Sequence, residues 1–308
     1  EAATISGAHG SLTIDASGAW TYEVDNDQAA VQSLGVGATL TDTVTVSSVD
    51  GTAQSIAITI TGTNDVPAIS GGLSGSVTED DVLTASGLLS IADPDAGESF
   101  FNEATIPGAH GSLTITPDGS WTYEVDNDLP EVQGLGEGQF LTDTVTVTSL
   151  DGTEQSIEIT ITGTDDVPVI NGDTFGSVIE DAVLTASGQL VITDADAGEA
   201  FFNAETVTGA HGSLTIDAAG TWTYEVGNDL PEVQGLGEGQ FLTDTVTVTS
   251  LDGTEQSIEV TITGTNDVPF ISGELSGSVT EDVDVDANGD LTASGQLTIT
   301  DADAGEAF

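Results

Sequence analysis

The chain repeats itself at intervals of 101 residues, so its fold must be a unit of about that size used again and again. Gly-Ala-His-Gly-Ser-Leu-Thr-Ile begins at Gly7, Gly108 and Gly209, and Trp20, Trp121 and Trp222 follow at the same interval. Asn-Asp-Val-Pro at Asn64 and Asn266, with Asp-Asp-Val-Pro at Asp165, marks the joints, because proline after a strand ends the ladder and stiffens the link. In this phase the chain holds a partial repeat (1–67), two complete repeats (68–168 and 169–269) and a second partial repeat (270–308). A six-residue insertion near Val283 to Asp290 is the one departure from the period.

Within each period the side chains alternate as half-buried strands require. Trp121, Tyr123 and Val125 alternate with Thr122, Glu124 and Asp126, and Ile157, Ile159 and Ile161 alternate with Glu158, Thr160 and Thr162. Pro117-Asp118-Gly119 and Asp151-Gly152 separate such runs and have hairpin-turn chemistry. Seven strands are expected in the first complete repeat, near 69–78, 83–92, 100–106, 112–116, 120–126, 141–149 and 156–163. Seven short strands with a core Trp in about 100 residues read as an all-β, immunoglobulin-like sandwich. The Gly-rich segment from Asp128 to Gln139 is the one long connection and is expected to cross between sheets. Residues 1–67 would then supply the third to seventh strands of one sandwich, and 270–308 the first two of another.

Charge sets the second constraint. The 308 residues include 53 Asp and Glu and no Lys or Arg, so no Lys or Arg salt bridge can form and any counter-charge must come from solution. Two carboxylates about 4 Å apart repel by roughly 1 kcal/mol in water and about 4 kcal/mol at an effective dielectric of 20. Clustered acids therefore call for bound cations, and hard oxygen donors favour calcium, with magnesium as the alternative. A hydrophobic share of 37% argues against disorder despite the charge of −53. The absence of Cys removes disulfides and thiolate metal sites. Nucleic acid is not an expected partner, since phosphate binding relies on Lys and Arg. No apolar run of about 18 residues is present, so membrane insertion by a helix is not expected, and no signal peptide is evident.

Gly-Ala-His-Gly-Ser-Leu-Thr-Ile, Trp-Thr-Tyr-Glu-Val, Leu-Thr-Asp-Thr-Val-Thr-Val and Gly-Thr-Asn-Asp-Val-Pro together resemble the VCBS repeats of very large bacterial surface adhesins, including those of the RTX type. The resemblance covers the whole chain and implies an extracellular, cell-surface stalk of tandem cadherin-like sandwiches in an extended rod, serving adhesion and biofilm formation. It also implies export by a one-step system without a cleaved signal. The nonapeptide calcium motif of RTX β-rolls is absent.

Strand direction places the acids. If successive strands are antiparallel, the turns after the first, third and fifth strands share the far pole of each sandwich with the linker. Glu79-Asp80, Asp126-Asn127-Asp128, Asp143 and Asp165-Asp166 are then expected at one pole of repeat 68–168, beside Asp194 to Glu199 of the next repeat. This is similar to cadherins, in which an acidic turn, an Asn-Asp linker and an Asp-x-Asp of the following domain share calcium. Carried onto this sequence, the resemblance implies metal ligands Asn64, Asp65, Asp93 and Asp95 at the first joint. At the second it implies Glu79, Asp165, Asp166, Asp194 and Asp196, and at the third Glu180, Asn266, Asp267, Asp301 and Asp303. The linker departs from the cadherin pattern at Val66, Val167 and Val268, and Gly227 stands where Asp25 and Asp126 occur.

Other features have plainer readings. Asp50-Gly51, Asp151-Gly152 and Asp252-Gly253 read as turns, His9, His110 and His211 as structural or surface residues, and the three Trp as core. Near-copies of a small sandwich offer no cleft for a glycosidase-like carboxylate pair, so an enzyme is not expected. The leading expectation is a calcium-stiffened extender whose partners are its neighbouring repeats. A second is a fibre of identical chains, each completing the next end to end by strand donation between the split repeats. A third, less favoured, is a sugar- or protein-binding tip, with the Val283 to Asp290 insertion as an acidic turn or cation site.

Overall fold

A computed structural model describes residues 3–305, and the chain divides into two compact units, Glu1–Thr164 and Asp165–Phe308. In the first unit, β1 (Ala3–Ser6), β2 (Gly10–Ile14) and β3 (Trp20–Val24) form an antiparallel sheet. The helical turn α1 (Ala29–Gln32) leads to the hairpin β4 (Thr39–Ser47) and β5 (Ala53–Thr61). The next sandwich comprises β6 (Ala68–Gly71), β7 (Ser74–Thr78), β8 (Thr84–Ala92), β9 (Ala104–Pro107), β10 (Gly111–Ile115), β11 (Ser120–Val125), α2 (Pro130–Gln133), β12 (Phe140–Thr148) and β13 (Glu154–Thr162). Its sheets run β6-β8-β11-β10-β9 and β12-β13-β7.

The second unit repeats this plan. It contains β14 (Val169–Gly172), β15 (Phe175–Ile179), β16 (Thr185–Thr193), β17 (Glu205–Thr208), β18 (Gly212–Ile216), β19 (Thr221–Val226), α3 (Pro231–Gln234), β20 (Phe241–Thr249) and β21 (Glu255–Thr263). The sheets are β14-β16-β19-β18-β17 and β15-β21-β20, followed by the pair β22 (Phe270–Gly273) and β23 (Leu297–Thr300).

The expected first strand, 69–78, is two strands in different sheets. β6 pairs antiparallel with β8, whereas β7 pairs parallel with β13. Gly71 makes the crossing possible: its φ is 111°, and a Cβ there would meet the Leu88 carbonyl at 2.5 Å. Gly172 and Gly273 take the same conformation, with φ of 115° and 112°. Residues 275–279 form no strand, because the parallel partner that β7 finds in β13 has no counterpart among the described residues after β23. The segment from Asp128 to Gln139 does cross between sheets, through α2.

Alternation fills the space between the sheets. β11 buries Trp121, Tyr123 and Val125, and β13 buries Ile157, Ile159 and Ile161. Trp121 donates its indole N–H to the Gly72 carbonyl at 2.9 Å, and Trp222 does the same to Asp173. Trp20 departs from the core role expected of it. It is 46% exposed, against 2% for Trp121, because residues 3–67 contain no counterpart of β6 to β8 to cover it.

Asp143, expected near the pole of its repeat, has a structural role there. It lies on the inward face of β12, buried, and accepts the Ala109 and His110 N–H groups at 3.0 Å each and the Tyr123 hydroxyl at 2.8 Å. Both oxygens are committed to holding the β9–β10 turn. Asp42 and Asp244 hold the equivalent turns. The Tyr22 hydroxyl, ahead of the burial that opposes it, helps bring Asp42 down to about 2.

Candidate metal centres at the repeat joints

The acid-bearing loops are placed by the strands that frame them. β8 and β16 are followed directly by Asp-x-Asp, while β7 and β15 are followed by Glu79-Asp80 and Glu180-Asp181. Asp80 and Asp181 adopt φ of 56° and 55°, a left-handed conformation that Asp tolerates better than most residues. For Asp181 the turn is clamped: its N–H donates to Asn228 Oδ1 at 3.0 Å, and its carboxylate accepts Asn228 Nδ2 at 2.6 Å and Gln234 Nε2 at 3.1 Å. The preceding residue, Glu180, is thereby directed inward and is 1% exposed.

At the third joint, inside the second unit, three segments converge. The Thr265 N–H donates to Glu180 Oε1 at 2.9 Å, and the Asp267 N–H donates to Asp303 Oδ2 at 3.0 Å. The Asp303 N–H in turn donates to Asp301 Oδ1 at 3.2 Å, and Asn266 Nδ2 reaches the Asp267 carbonyl at 2.8 Å. Ala304 donates to the Gly235 carbonyl at 3.1 Å, tying the last loop to the segment after α3. Glu180 Oε2, Asp267 Oδ2 and Asp303 Oδ1 are buried without a hydrogen-bond partner. Burial, then the neighbouring Asp267, Asp181 and Asp303 charges, pushes the Glu180 carboxyl up against the pull of the Thr265 N–H. Burial, then the Asp181 and Asp303 charges, raises Asp267 as well.

At the first joint, inside the first unit, Asp65 donates its N–H to Asp95 Oδ2 at 2.8 Å, and Asp95 donates to Asp93 Oδ1 at 2.9 Å. Asn64 Nδ2 reaches Asp151 Oδ2 at 3.3 Å, and the Ala96 N–H bonds the Ser33 carbonyl after α1 at 3.1 Å. Asp93 Oδ2 and Asp95 Oδ1 are buried and unbonded. The residues expected at the second joint lie in two units. In the first, Glu79 Oε1 accepts the Thr164 N–H at 3.0 Å. In the second, Asp196 Oδ2 accepts the Asp166 N–H at 2.8 Å, and Asp194 Oδ1 accepts the Asp196 N–H at 3.1 Å. One oxygen each from Asp165, Asp196 and Glu199 lies within 4.8 Å of the others, close enough for a single ion.

The family model described as "Bacterial cadherin-like domain" matches residues 64–163 and 165–264. The chain belongs to this bacterial cadherin-like family. No curated protein matches it. Among solved structures, PcdhgB3 EC1-4 is similar at 18% identity and a TM-score of 0.45, over 96% of this chain and 73% of that one. The protocadherin gammaB4 extracellular domain is similar at 15% identity and 0.46, over 99% and 49%, and mouse clustered PcdhgC3 EC1-3 at 14% and 0.40, over 82% and 85%.

The donor set of these cadherin-like repeats fits a hard divalent cation. It is all oxygen, it comes from separate segments, and it includes buried carboxylate oxygens that no N–H or O–H satisfies. An unpaired buried charge is costly, and a cation removes that cost where the chain has no Lys or Arg. Among the expected ligands, Asn64 and Asn266 are turned, through their amide nitrogens, toward neighbouring oxygens.

Sequence reasoning placed Glu199 in an acidic joint segment but named neither it nor Glu98 as a ligand. Glu98 and Glu199 follow Asp95 and Asp196 by three residues, and burial, then Asp95 or Asp196, raises each carboxyl. Asp151 and Asp252 make the hairpin bonds expected of turns, to Ser149 and Thr153 and to Ser250 and Thr254, yet also act electrostatically on Glu98 and Glu199. The Asp-x-x-Glu spacing, repeated at the period, was the available signal for the glutamates.

Proposed function

We propose that these cadherin-like repeats are a spacer segment of an extracellular bacterial adhesin of the VCBS type, in which calcium at the joints limits bending so that an adhesive region projects from the cell. The reading is carried by the third joint, where Glu180, Asp267 and Asp303 each hold a buried carboxylate oxygen without a partner. Glu180 would supply carboxylate oxygens from the sandwich, and Asp301 and Asp303 from the loop after β23, with Asp267 in the linker between them. Asn64, Asp65, Asp93 and Asp95 would act at the first joint, and Asp165, Asp166, Asp194 and Asp196 within the second unit. A bound ion supplies the positive charge that draws these segments together; magnesium, which demands a tighter octahedron, suits them less well.

Membership of a cadherin-like family supports an extracellular and adhesive role rather than an enzymatic one. Among the described residues no helix is long and apolar enough to cross a membrane. Strands of about 8 residues at 3.3 Å each, with loops and linker, give roughly 35–45 Å of reach per repeat, so length scales with repeat number. Small-angle scattering of the purified chain tests the proposal. A calcium-loaded sample should show a larger and better-defined maximum dimension than the same sample after chelation, and superimposable profiles would sink it.

A further inference from the structure

Each complete repeat ties its first segment directly to its last. In repeat 68–168, β7 lies parallel to β13, with Ser74 opposite Glu158 and Thr78 opposite Thr162. Bonds continue past both ends of that pairing: the Glu158 N–H donates to the Leu73 carbonyl at 3.0 Å, and the Glu79 N–H to the Thr162 carbonyl at 3.1 Å. Repeat 169–269 does the same, pairing β15 with β21 from Phe175 opposite Glu259 to Ile179 opposite Thr263. Its flanking bonds run from the Glu259 N–H to the Thr174 carbonyl at 2.9 Å and from the Glu180 N–H to the Thr263 carbonyl at 3.1 Å.

A parallel ladder between the first and last segments meets tension along the chain in shear. β7 and β13 run in the same direction, so a pull on the start of β7 and on the end of β13 drives them opposite ways along a common axis. The evenly spaced bonds between them share the load and must fail together. Pulled apart sideways at Ser74 and Glu158, the same bonds would fail one after another. The path is also short: while β7 holds β13, force entering through β6 and leaving after Thr162 bypasses everything from Asp80 to Thr153. Slippage of β6 from β8 would free only the chain before Ser74.

The packing guards this ladder. Val77 and Ile161, opposite one another, are 1% and 0% exposed and keep water from one side of it. The Trp121 ring lies against Gly75, where a Cβ would come within 2.9 Å of it, and the indole N–H holds the Gly72 carbonyl at 2.9 Å. Gly72 is in the crossing from β6 to β7, so Trp121 anchors the segment through which force arrives. Trp222 holds the Asp173 carbonyl in the next repeat in the same way, beside Gly176. Beyond the ladder, Glu79 Oε1 and Glu180 Oε1 accept the Thr164 and Thr265 N–H groups, which fastens the departing linker as well.

We propose that the β7–β13 and β15–β21 ladders are the tension-bearing elements of the chain, through which a load between the cell and an adhesive region passes. That such a load exists rests on the spacer reading; the resistance itself lies in main-chain bonds within each repeat. The sheet order thus adds a mechanical function to the length that each repeat supplies.

Single-molecule pulling of the full chain tests this, because a chain with no Cys accepts handles only at thiols placed by substitution. Val66→Cys with Val167→Cys pulls repeat 68–168 from end to end, and Ser74→Cys with Glu158→Cys pulls the same ladder sideways from its first pair; all four positions are exposed. Val167→Cys with Val268→Cys, set against Phe175→Cys with Glu259→Cys, makes the same comparison in the next repeat, and circular dichroism confirms that every variant is folded. At one loading rate in one calcium buffer, each end-to-end pair should unfold in a single step that releases roughly 300 Å of chain. The force should be about twofold or more above that of the matching sideways pair. Equal forces, or a lower force end to end, in the folded variants of either repeat would overturn the proposal. That result would leave the spacer reading intact, since scattering with and without calcium measures stiffness independently. Superimposable scattering profiles would in turn remove the spacer reading without touching the difference between pulling directions.

Discussion

The backbone N–H of Asp267 donates to Asp303 Oδ2 at 3.0 Å, and so fastens the linker to the loop of the following repeat across the six-residue insertion. The same bond joins Asp65 to Asp95 at 2.8 Å and Asp166 to Asp196 at 2.8 Å. In each case the second carboxylate oxygen is buried and unbonded. A single side chain therefore locks the linker through the protein and leaves one charge-bearing atom for an ion.

Calcium should raise thermal stability. An ion that binds only the folded state adds RT ln(1 + [Ca]/Kd), about 2.7 kcal/mol at a hundredfold excess over the dissociation constant. Scanning calorimetry in calcium and in chelator should show the upward shift, and Asp303→Ala should shrink it. Coincident transitions in both buffers would count against cation binding at every joint.

Without divalent cations, pH should act in two directions. Burial, followed by nearby acids, raises Glu180, Asp194, Glu199 and Asp267 above the ordinary carboxylate range. A raised folded pKa contributes stability that is present below the unfolded value and is lost as pH rises through the folded one. Asp42, at about 2, has the opposite sign: its contribution holds above the unfolded value and fades as pH falls from about 4 toward 2. Chelated protein should be most stable in mild acid and weaken toward neutrality, with calcium reversing the neutral-side loss. Urea midpoints from pH 3 to 7.5 would check this, and a rise toward neutrality in chelator would contradict it.

Much of the sandwich was legible because alternation has a physical cause. Trp121, Tyr123 and Val125 had to share one face, and they do. The division of 69–78 was not legible, since Gly71 signals only that a left-handed residue is permitted, and a parallel pairing with β13 depends on partners 84 residues away. The buried role of Asp143 was not legible either, because the turn N–H groups that its carboxylate serves lie 34 and 33 residues away in sequence. Joint acids could be found from strand direction, but spacing alone does not say which oxygens lack partners.

Asp143 gives a sharp contrast between two substitutions. Asp143→Ala leaves the Ala109 and His110 N–H groups and the Tyr123 hydroxyl without their acceptor, and buried unsatisfied groups cost about 1–3 kcal/mol each, so a loss of roughly 3 kcal/mol or more is expected. Tyr123→Phe removes one donor to a charged acceptor and should cost about 1.5–3 kcal/mol. Asp244 is the same residue one repeat later and should give the same pair of values with Tyr224. Denaturant unfolding would decide, and a neutral Asp143→Ala would mean the turn does not need its buried acceptor.

Asp181 offers a test of whether backbone strain serves the joint. Its φ of 55° disfavours ordinary L-residues, while its carboxylate is held by Asn228 and Gln234. Asp181→Gly removes the strain but also the two amide contacts, whereas Asp181→Ala removes the contacts and keeps the strain. Alanine should therefore be about 1–2 kcal/mol less stable than glycine at this position. Asp181→Asn retains tolerance of the conformation and should fall nearest to wild type in stability. If the clamp also aims Glu180, both the alanine and glycine variants should weaken calcium binding relative to Asn, and calorimetric titration beside urea unfolding separates the two effects. Equal stability of the alanine and glycine variants would show that the turn relaxes out of the left-handed conformation and that the strain has no role in positioning Glu180.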